Sequence, residues 1–205
     1  MATKKISELP ASTTPLSGTE LFEVVQSGVS KNVAAADIAN SATAIPYTSL
    51  SGRAYISAYS SVDQTGSVSA GTACRFNATS FSSGISITND GGGNPTRITF
   101  TAAGTYMIAP SIQFKNSDSS DHDATVWFAK NGTNIANSAT IITVPKAADG
   151  GAAYFQIVFY EQVTAGQYVE VYWLPENAAV TVDATAAGAI APAIPSVILC
   201  SERIA

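Results

Sequence analysis

The segment GTYMIAPSIQFKN, residues 104–116, decides the fold class of this chain. Its large apolar side chains recur at every second position, at Tyr106, Ile108, Ile112 and Phe114, and most of the positions between them are polar or small. A period of two is typical of a β-strand that turns one face to a core. The segment therefore predicts a long strand with a buried side.

Shorter strands follow the same logic through the rest of the chain. Residues 125–130 end at Asn131-Gly132, a pair that favours a tight hairpin turn. Residues 154–163 are apolar on both faces, which predicts one strand covered on both sides. Residues 164–167 predict a turn, and residues 168–174 predict the next strand. Weaker candidates are residues 54–59, 73–76, 85–88, 96–101, 141–144, 180–183 and 196–201.

The spacing of these strands predicts an all-β fold. Turn signals recur as in a β-sandwich or jelly roll, and no helix-period pattern follows residue 40. The Gly-rich residues 89–95 predict a loop tip. Residues 184–195, ATAAGAIAPAIP, are low in complexity and carry two prolines, which predicts a long connection suited to packing against a neighbour.

The first forty residues have a different character. They hold a few apolar anchors and too little apolar surface for a core of their own, which predicts an arm that docks on other protein. Within it, residues 21–26 and 29–33 predict a short hairpin around Ser27-Gly28. We therefore predict an arm at 1–40, a linker at 41–52 and a single sandwich domain at 53–205.

Composition bounds the function. Only 12% of residues are charged while 46% are hydrophobic, which favours a surface partly covered by partner subunits. The net charge is −5 and the ten basic residues are scattered, which argues against nucleic-acid binding. The chain has no apolar stretch of membrane-spanning length and its start has no signal-peptide pattern, so we expect synthesis in a cytosol and no membrane insertion.

The first resemblance lies in the arm. The blocks KISELP, PLSGTEL, VVQSGVSK and ADIA follow one another between residues 5 and 39. This order resembles the amino-terminal attachment segment of many phage tail, fibre and head-accessory proteins. The resemblance implies attachment to a virion particle, and the apolar anchors that we expect to make the contact are Ile6, Leu9, Leu16, Leu21, Phe22 and Val24.

A second resemblance covers residues 53–205. FTAAGTYMIAPSIQF resembles the signature strand of the complement-type and tumour-necrosis-factor-type jelly roll, with Phe100, Gly104, Tyr106 and Phe114 at its positions. VTAGQYVEVYW resembles a late hairpin of that family, with Gln167 where an Asp is common. VWFAKNGTNI and IPSVILCSERIA are similar to a middle strand and to the final central strand. The resemblance implies a sandwich that packs as a compact homotrimer.

Aromatic residues mark a candidate trimer interface. Tyr154, Tyr160, Tyr168 and Tyr172 occupy alternating positions of two consecutive strands, together with Val158. Such a row is compatible with a core, a trimer interface or a sugar-binding platform. We expect these five residues to lie in the core or the interface.

The polar loop around residue 120 offers the most titratable side chains. His122 is the single histidine, and it predicts an exposed loop residue with no catalytic role. Asp118, Asp121 and Asp123 are compatible with a hard cation or with a solvated acidic loop, and we expect the second.

Other candidates for chemistry are weak. Glu161 and Glu170 flank a turn and predict solvated rim positions rather than an acid–base pair. Cys74 and Cys200 predict free, buried thiols, although a disulfide between them stays open. We therefore predict no catalytic residue, no metal site and no cofactor.

Together these observations favour a non-enzymatic phage virion protein: a homotrimeric capsid decoration or cement protein, or a short head fibre, assembled in the bacterial cytoplasm. Its expected partners are its own copies and the major capsid protein or another virion protein. The alternative is the receptor-binding tip of a tail fibre or baseplate that contacts host surface glycans through residues 89–95 and 118–123. A third class, a hydrolase acting on surface sugars, lacks the acid–base residues that it needs.

Overall fold

The structure is a computed structural model that describes residues 21–26, 29–34 and 53–205. The chain divides into two units between Gly52 and Arg53, and each is described by itself. In the first unit, β1 (Leu21–Gln26) and β2 (Val29–Ala34) pair antiparallel with Gln26 opposite Val29. The predicted amino-terminal hairpin is confirmed.

The second unit consists of β-strands and one short 3₁₀ helix at Ala147–Asp149. None of the helices in the described ranges is long and apolar enough to cross a membrane. The strands are β3 (Tyr55–Ser60), β4 (Gln64–Thr65), β5 (Thr72–Ala73), β6 (Ala78–Ser83), β7 (Ile85–Asn89), β8 (Pro95–Phe100), β9 (Gly104–Asn116), β10 (His122–Lys130), β11 (Thr133–Asn134), β12 (Thr140–Val144), β13 (Ala152–Gln156), β14 (Phe159–Val163), β15 (Tyr168–Pro175), β16 (Val180–Val182) and β17 (Val197–Arg203).

These strands form two antiparallel sheets. Sheet I runs β4-β16-β9-β17-β3-β6, with β13 and β14 paired in line along β9. Sheet II runs β11-β10-β15-β8-β7, with β12 on β10 and β5 on β15. Along the chain, β3, β9, β13–β14 and β17 of sheet I alternate with β7–β8, β10–β12 and β15 of sheet II. This alternation between two facing sheets is a jelly-roll β-sandwich, so the predicted fold is confirmed.

The long strand β9 supplies the centre of the core, as its period of two predicts. Tyr106, Ile108, Ile112 and Phe114 are all buried between the sheets. The Phe114 ring meets the indole of Trp173 from sheet II edge to face, at 5.8 Å between centroids. Burying one such side chain stabilises the fold by about 1.5–3 kcal/mol, so these contacts hold the two sheets together.

A proline in β9 corrects one prediction. Residues 154–163 were expected to form one strand, but the structure has two, β13 on residues 111–115 and β14 on residues 104–108. Both strands share one register along β9, and Pro110 lies at the gap between them. Proline has no backbone N–H to donate, so the ladder is interrupted there.

Residues 154–163 were also expected to be covered on both faces, and the structure differs from that expectation. Phe155 and Val163 are buried and Phe159 packs against the core, whereas Tyr154 and Tyr160 lie on the other face and are exposed. Within the described part of the chain only one face is covered.

Turns hold the strand ends as the sequence indicates. Asn131 and Gly132 both adopt positive φ, 50° and 79°, and join β10 to β11 with Lys130 opposite Thr133. This backbone suits a two-residue hairpin, and the predicted turn is confirmed. At Gly104 a Cβ would collide with the carbonyl oxygen of Ala205, so the close approach of the backbone requires glycine.

Three strands are absent from the sequence-based prediction: β4, β6 and β11. β6, with sequence ATSFSS, pairs with β3 in sheet I, yet all but its first residue are exposed. It has one large apolar side chain, Phe81, so it shows no alternation. Of the predicted strand 73–76, only the first residue lies in a strand, at the end of β5 (Thr72–Ala73).

Candidate self-association surface

The outer face of sheet I brings apolar side chains from different strands into rows. The registers place Tyr59, Ile198 and Ser111 side by side, and the next outward row contains Ser57, Cys200 and Ala109. A third row contains Tyr55, Glu202 and Met107, and Tyr160 of β14 continues it. We call the exposed large apolar side chains of this face the aromatic face: Tyr55, Phe81, Tyr154, Val158, Tyr160 and Ile198.

These side chains are open to solvent in the single chain. Tyr154 is 52% exposed, Val158 51% and Tyr160 55%. Tyr55 and Phe81 meet edge to face at 6.0 Å. A contiguous exposed apolar patch of this kind marks an interaction surface more often than a solvated one. The face is therefore suited to contact with another protein surface.

Few charged side chains lie on the outer face of sheet I, and one of them, Glu202, stands in the third row between Tyr55 and Met107. Lys115 lies near one end of β9, where its ammonium contacts the Asp183 carboxylate at 3.1 Å. Glu202 lies near the other end of β17. The middle row consists of the small side chains of Ser57, Cys200 and Ala109, so a second protein surface can approach the sheet closely there. A mainly apolar face that is poor in charged side chains is typical of a protein interface.

The cysteines lie in different environments. Cys74 is buried in the core, where desolvation raises the pKa of its thiol to about 12. Cys200 is exposed on the outer face of sheet I, which corrects the prediction that both are buried. The alternation of β17 turns Leu199 inward and Cys200 outward, so both thiols are free and the disulfide does not form.

The five predicted interface residues lie on two opposite faces. Tyr154, Val158 and Tyr160 belong to the aromatic face, whereas Tyr168 and Tyr172 are half-buried on the outer face of sheet II. The turn at residues 164–167 carries the chain from one sheet to the other. One flat contact surface can therefore hold the first three of these residues and not all five.

Tyr168 and Tyr172 already have partners in their own chain. The Arg97 guanidinium lies 4.3 Å from the centre of the Tyr168 ring. The Tyr172 ring stacks on Trp127 at 5.6 Å, and the Trp127 indole N–H donates to Asn134 Oδ1 at 2.8 Å. Cation–π and stacked pairs of this kind stabilise the sheet surface that carries them.

Between these two tyrosines lies a buried carboxylate. Glu170 is only 3% exposed, which corrects the prediction of a solvated rim position. The Thr96 hydroxyl donates to its Oε1 at 2.6 Å, and the Tyr172 hydroxyl lies 3.4 Å from its Oε2. Burial, and then the Glu170 charge, raise the pKa of the Tyr172 hydroxyl.

Glu161, the other predicted rim residue, is also largely covered and pairs with Lys130 at 2.5 Å.

His122 is not an exposed loop residue, which corrects another prediction. It is the first residue of β10, its side chain is only 14% exposed, and its Nε2 lies 2.7 Å from Asp118 Oδ2. Its Nδ1 lies 3.7 Å from Glu176 Oε2. The hydrogen bond from His122, followed by one from the Ser119 backbone, lowers the pKa of the Asp118 carboxyl.

The three carboxylates of this loop have separate partners. Asp121 Oδ1 accepts the Lys146 N–H at 2.8 Å, and Asp123 Oδ1 accepts the Thr143 hydroxyl at 2.6 Å. Nowhere in residues 21–26, 29–34 and 53–205 do three or more His, Cys, Asp or Glu side chains form a group that could hold a metal ion. The loop is therefore braced by hydrogen bonds to the protein.

The Gly-rich loop tip is also held from within. Asp90 Oδ1 accepts the backbone N–H groups of Gly92 and Asn94, each at 2.8 Å. The hydrogen bonds from Asn94 lower the pKa of the Asp90 carboxyl. The loop thus has a fixed shape, which a contact loop needs.

Three of the six predicted attachment residues lie beyond the described positions. Ile6, Leu9 and Leu16 fall outside the described residues. Leu21 is exposed on β1, while Phe22 and Val24 belong to the same strand with side chains outside the description. The attachment role of all six stays a prediction.

Sequence reasoning missed three members of the aromatic face, Tyr55, Phe81 and Ile198. The alternation in β3 and β17 assigns Tyr55 and Ile198 to the outward side of their strands. A large apolar residue at a position where alternation predicts a polar one was therefore the signal that could have identified them. Phe81 offered no such signal, because β6 has no apolar period.

Comparison with known proteins bears on the fold. No protein-family model matches the chain, and no curated protein matches its sequence. Among solved structures, a crystal structure of murine APRIL at pH 5.0 is similar with a TM-score of 0.47 and 9% identity, covering 74% of this chain and 99% of that one. A second structure of murine APRIL, at pH 8.0, has a TM-score of 0.48 with the same identity and coverage. The likeness concerns the fold alone.

Proposed function

We propose that this chain is a non-enzymatic accessory protein of a phage virion whose jelly-roll body forms a homotrimer. The observation that carries the proposal is the aromatic face, an exposed and mainly apolar surface with few charged side chains. Burying apolar surface contributes about 25 cal/mol per Å², so three such faces packed together would supply the driving force for assembly. The first test is the mass of the purified protein by sedimentation. A monomer at micromolar concentration would overturn the trimer.

The amino-terminal arm is proposed to attach the trimer to the particle. The proposal draws on the phage-like blocks in residues 5–39 and on the low capacity of forty residues to bury a core. Three arms on one trimer bind with strong avidity even when each arm binds weakly, because the second and third contacts form within one complex. A capsid decoration or cement protein, or a short head fibre, fits a body that follows its arm after a linker of only twelve residues.

Deletion of residues 1–40 tests the arm. The truncated chain is expected to sediment as a folded trimer and to lose binding to particles that lack the protein, whereas the full-length chain binds them. A truncated trimer that still decorates particles would rule out the arm as the attachment element. Urea unfolding of both chains is the control for folding.

The second candidate is a receptor-binding tip. It is favoured by the internally braced loop at residues 89–95, since a fixed loop pays little ordering entropy on binding. Copy number separates the two. Hundreds of copies in each virion would indicate decoration of the capsid, and a few dozen at most would indicate the tail.

A further inference from the structure

Residues 184–195 form a hydrogen-bonded apolar ribbon in which residues 185–194 are all exposed. Thr185 and Ile194 exchange two backbone hydrogen bonds of 2.8 Å, and the Gly188 N–H donates to the Ala191 carbonyl at 3.0 Å. The ribbon contains no charged residue, and Ile190 near its tip is fully exposed. A fully exposed isoleucine on an ordered neutral ribbon is a side chain placed for contact with something else.

Both ends of the ribbon are fastened to the body. The Ala184 N–H donates to Asp63 Oδ1 at 2.8 Å. At the other end the Ser196 hydroxyl donates to the Val62 carbonyl at 2.7 Å, and the Ser196 N–H donates to the Ser60 carbonyl at 2.8 Å. The ribbon is therefore presented in one orientation, which lowers the entropy cost of docking its tip.

An apolar groove lies beside the base of the ribbon. Its walls include Tyr59 and Val62 from the end of β3 and the residues after it, and Ala184, Pro192 and Ile194 from the ribbon. Val62 and Ile194 are exposed there. The ribbon base is one wall of the groove, while Ile190 at the tip stays exposed in its own chain.

The chemistry of the groove matches the tip of the ribbon. The groove and the ribbon tip are both mainly apolar. The charged residue that lines the groove is Asp63, and its carboxylate accepts a hydrogen bond from the Ala184 N–H. The groove also continues the aromatic face, because Tyr59 lines the groove and stands opposite Ile198 in the sheet register. A neighbour that packs on the aromatic face therefore lies next to the groove.

We propose that the ribbon tip of one copy of this chain inserts Ile190 into the groove of a second copy. The contact joins two different surfaces, so it runs head to tail and closes into a ring when three copies share it. This inference rests on the homotrimer of the proposed function and deepens it, because it names a fastening between neighbours in addition to the aromatic face.

A cysteine pair tests the contact directly. In full-length protein with Cys200→Ser, the double variant Ile190→Cys and Val62→Cys is oxidised mildly and run on a non-reducing gel. Disulfide-linked dimers and trimers that disappear on reduction are expected, because the proposed contact brings position 190 of one copy to position 62 of the next. The two single variants in the same background are matched controls and are expected to run as single chains.

Each outcome decides a separate point. A trimer by sedimentation without a link between chains would overturn the ribbon contact and leave the proposed function intact. If both introduced thiols are lost but the double variant still runs as a single chain, the ribbon folds onto its own groove, which also overturns the inference. A parent protein that sediments as a monomer would overturn the trimer and the ribbon contact together.

A second variant pair checks the energetic role. Ile190→Asp is expected to raise the dissociation constant of the trimer at least about tenfold, since the groove would have to bury a carboxylate. Ile190→Val is the matched control and is expected to stay within about twofold. Equal constants for Ile190→Asp and the parent would contradict the proposal.

Discussion

The outer faces of the two sheets obey the same strand alternation and yet treat their aromatic residues in opposite ways. On sheet II, Tyr168 lies under Arg97 and Tyr172 stacks on Trp127. On sheet I, Tyr154 and Tyr160 remain more than half exposed. On sheet II the chain itself supplies partners for both tyrosines, whereas the aromatic face of sheet I remains exposed to solvent.

The difference teaches how an aromatic side chain can be assigned to a fold or to an interface. A ring that has a cation, a second ring or a hydrogen-bond partner in its own chain contributes to the stability of the monomer. On the aromatic face, Tyr55 pairs with Phe81 and the Tyr154 hydroxyl donates to Gln156 Oε1 at 3.1 Å. Tyr160 has no such partner among the described residues, so its ring contributes only when a second surface arrives. Four changes, from the largest expected effect to the smallest, test whether the two faces differ in this way.

A charge on the aromatic face is expected to have the largest effect. Tyr160→Glu should weaken the trimer by more than about thirtyfold, or about 2 kcal/mol, because the interface would bury a carboxylate without a partner. Sedimentation at several concentrations measures the change. Thr125→Glu, on the outer face of sheet II, is the matched control and should keep the trimer. Equal association of both variants would remove the distinction between the faces.

A lost hydrogen bond on sheet II should act on folding instead of assembly. Thr96→Val removes the hydroxyl that donates to Glu170 Oε1 at 2.6 Å and leaves the buried carboxylate without this donor. The free energy of unfolding should fall by about 1–3 kcal/mol in urea titrations, with the sedimentation of the native protein unchanged. Thr96→Ser retains the hydroxyl and should lose much less. A Thr96→Val variant whose trimer is weakened while its free energy of unfolding is unchanged would contradict the assignment of Thr96 to folding stability.

The exposed thiol reports on the aromatic face. Cys200 should react with a thiol reagent at least about tenfold more slowly in the trimer than in Tyr160→Glu, because the neighbour covers it. Cys74 should stay unreactive in both until unfolding, since burial raises the pKa of its thiol to about 12. Cys200→Ser identifies the reactive position. Equal rates in trimer and variant would mean that the face is not covered.

The smallest effect is expected from the braced loop at the edge of sheet II. The hydrogen bond from His122 lowers the pKa of the Asp118 carboxyl below its ordinary value of 3.8. A lowered pKa stabilises the folded state above the unfolded-state value, and this stability is lost as the pH falls through the folded-state value. Asp118→Asn should therefore flatten the fall of unfolding free energy below about pH 4. An unchanged pH profile in urea unfolding would contradict this coupling.

Much of the fold could be predicted because its signals are local. The alternation in β9 and the Asn131-Gly132 turn each depend on a few neighbouring residues, and the structure confirms both. The break between β13 and β14 was missed because its cause, Pro110, lies on the partner strand. β6 was missed because its outward residues are mostly small hydroxyl side chains.

The candidate site was predicted less completely. Alternation indicates that Tyr160 and Tyr172 lie on the outward side of their strands, but it does not indicate to which sheet each strand belongs. His122 contacts Asp118, four residues away, but its contact with Glu176 and that of Glu170 with Thr96 join residues that are distant in sequence and meet only through the sheet pairing. Such contacts have no local pattern.

The position of β17 between β3 and β9 has a consequence for how the protein is made. β3 is synthesised almost first in the sandwich, but one of its two neighbours in sheet I, β17, is residues 197–203, about 140 positions later. Until that segment leaves the ribosome, β3 and β9 both present unpaired backbone edges and apolar side chains, and pairing across such a separation is intrinsically slow. Sheet I can therefore be completed only when nearly the whole sandwich has been synthesised.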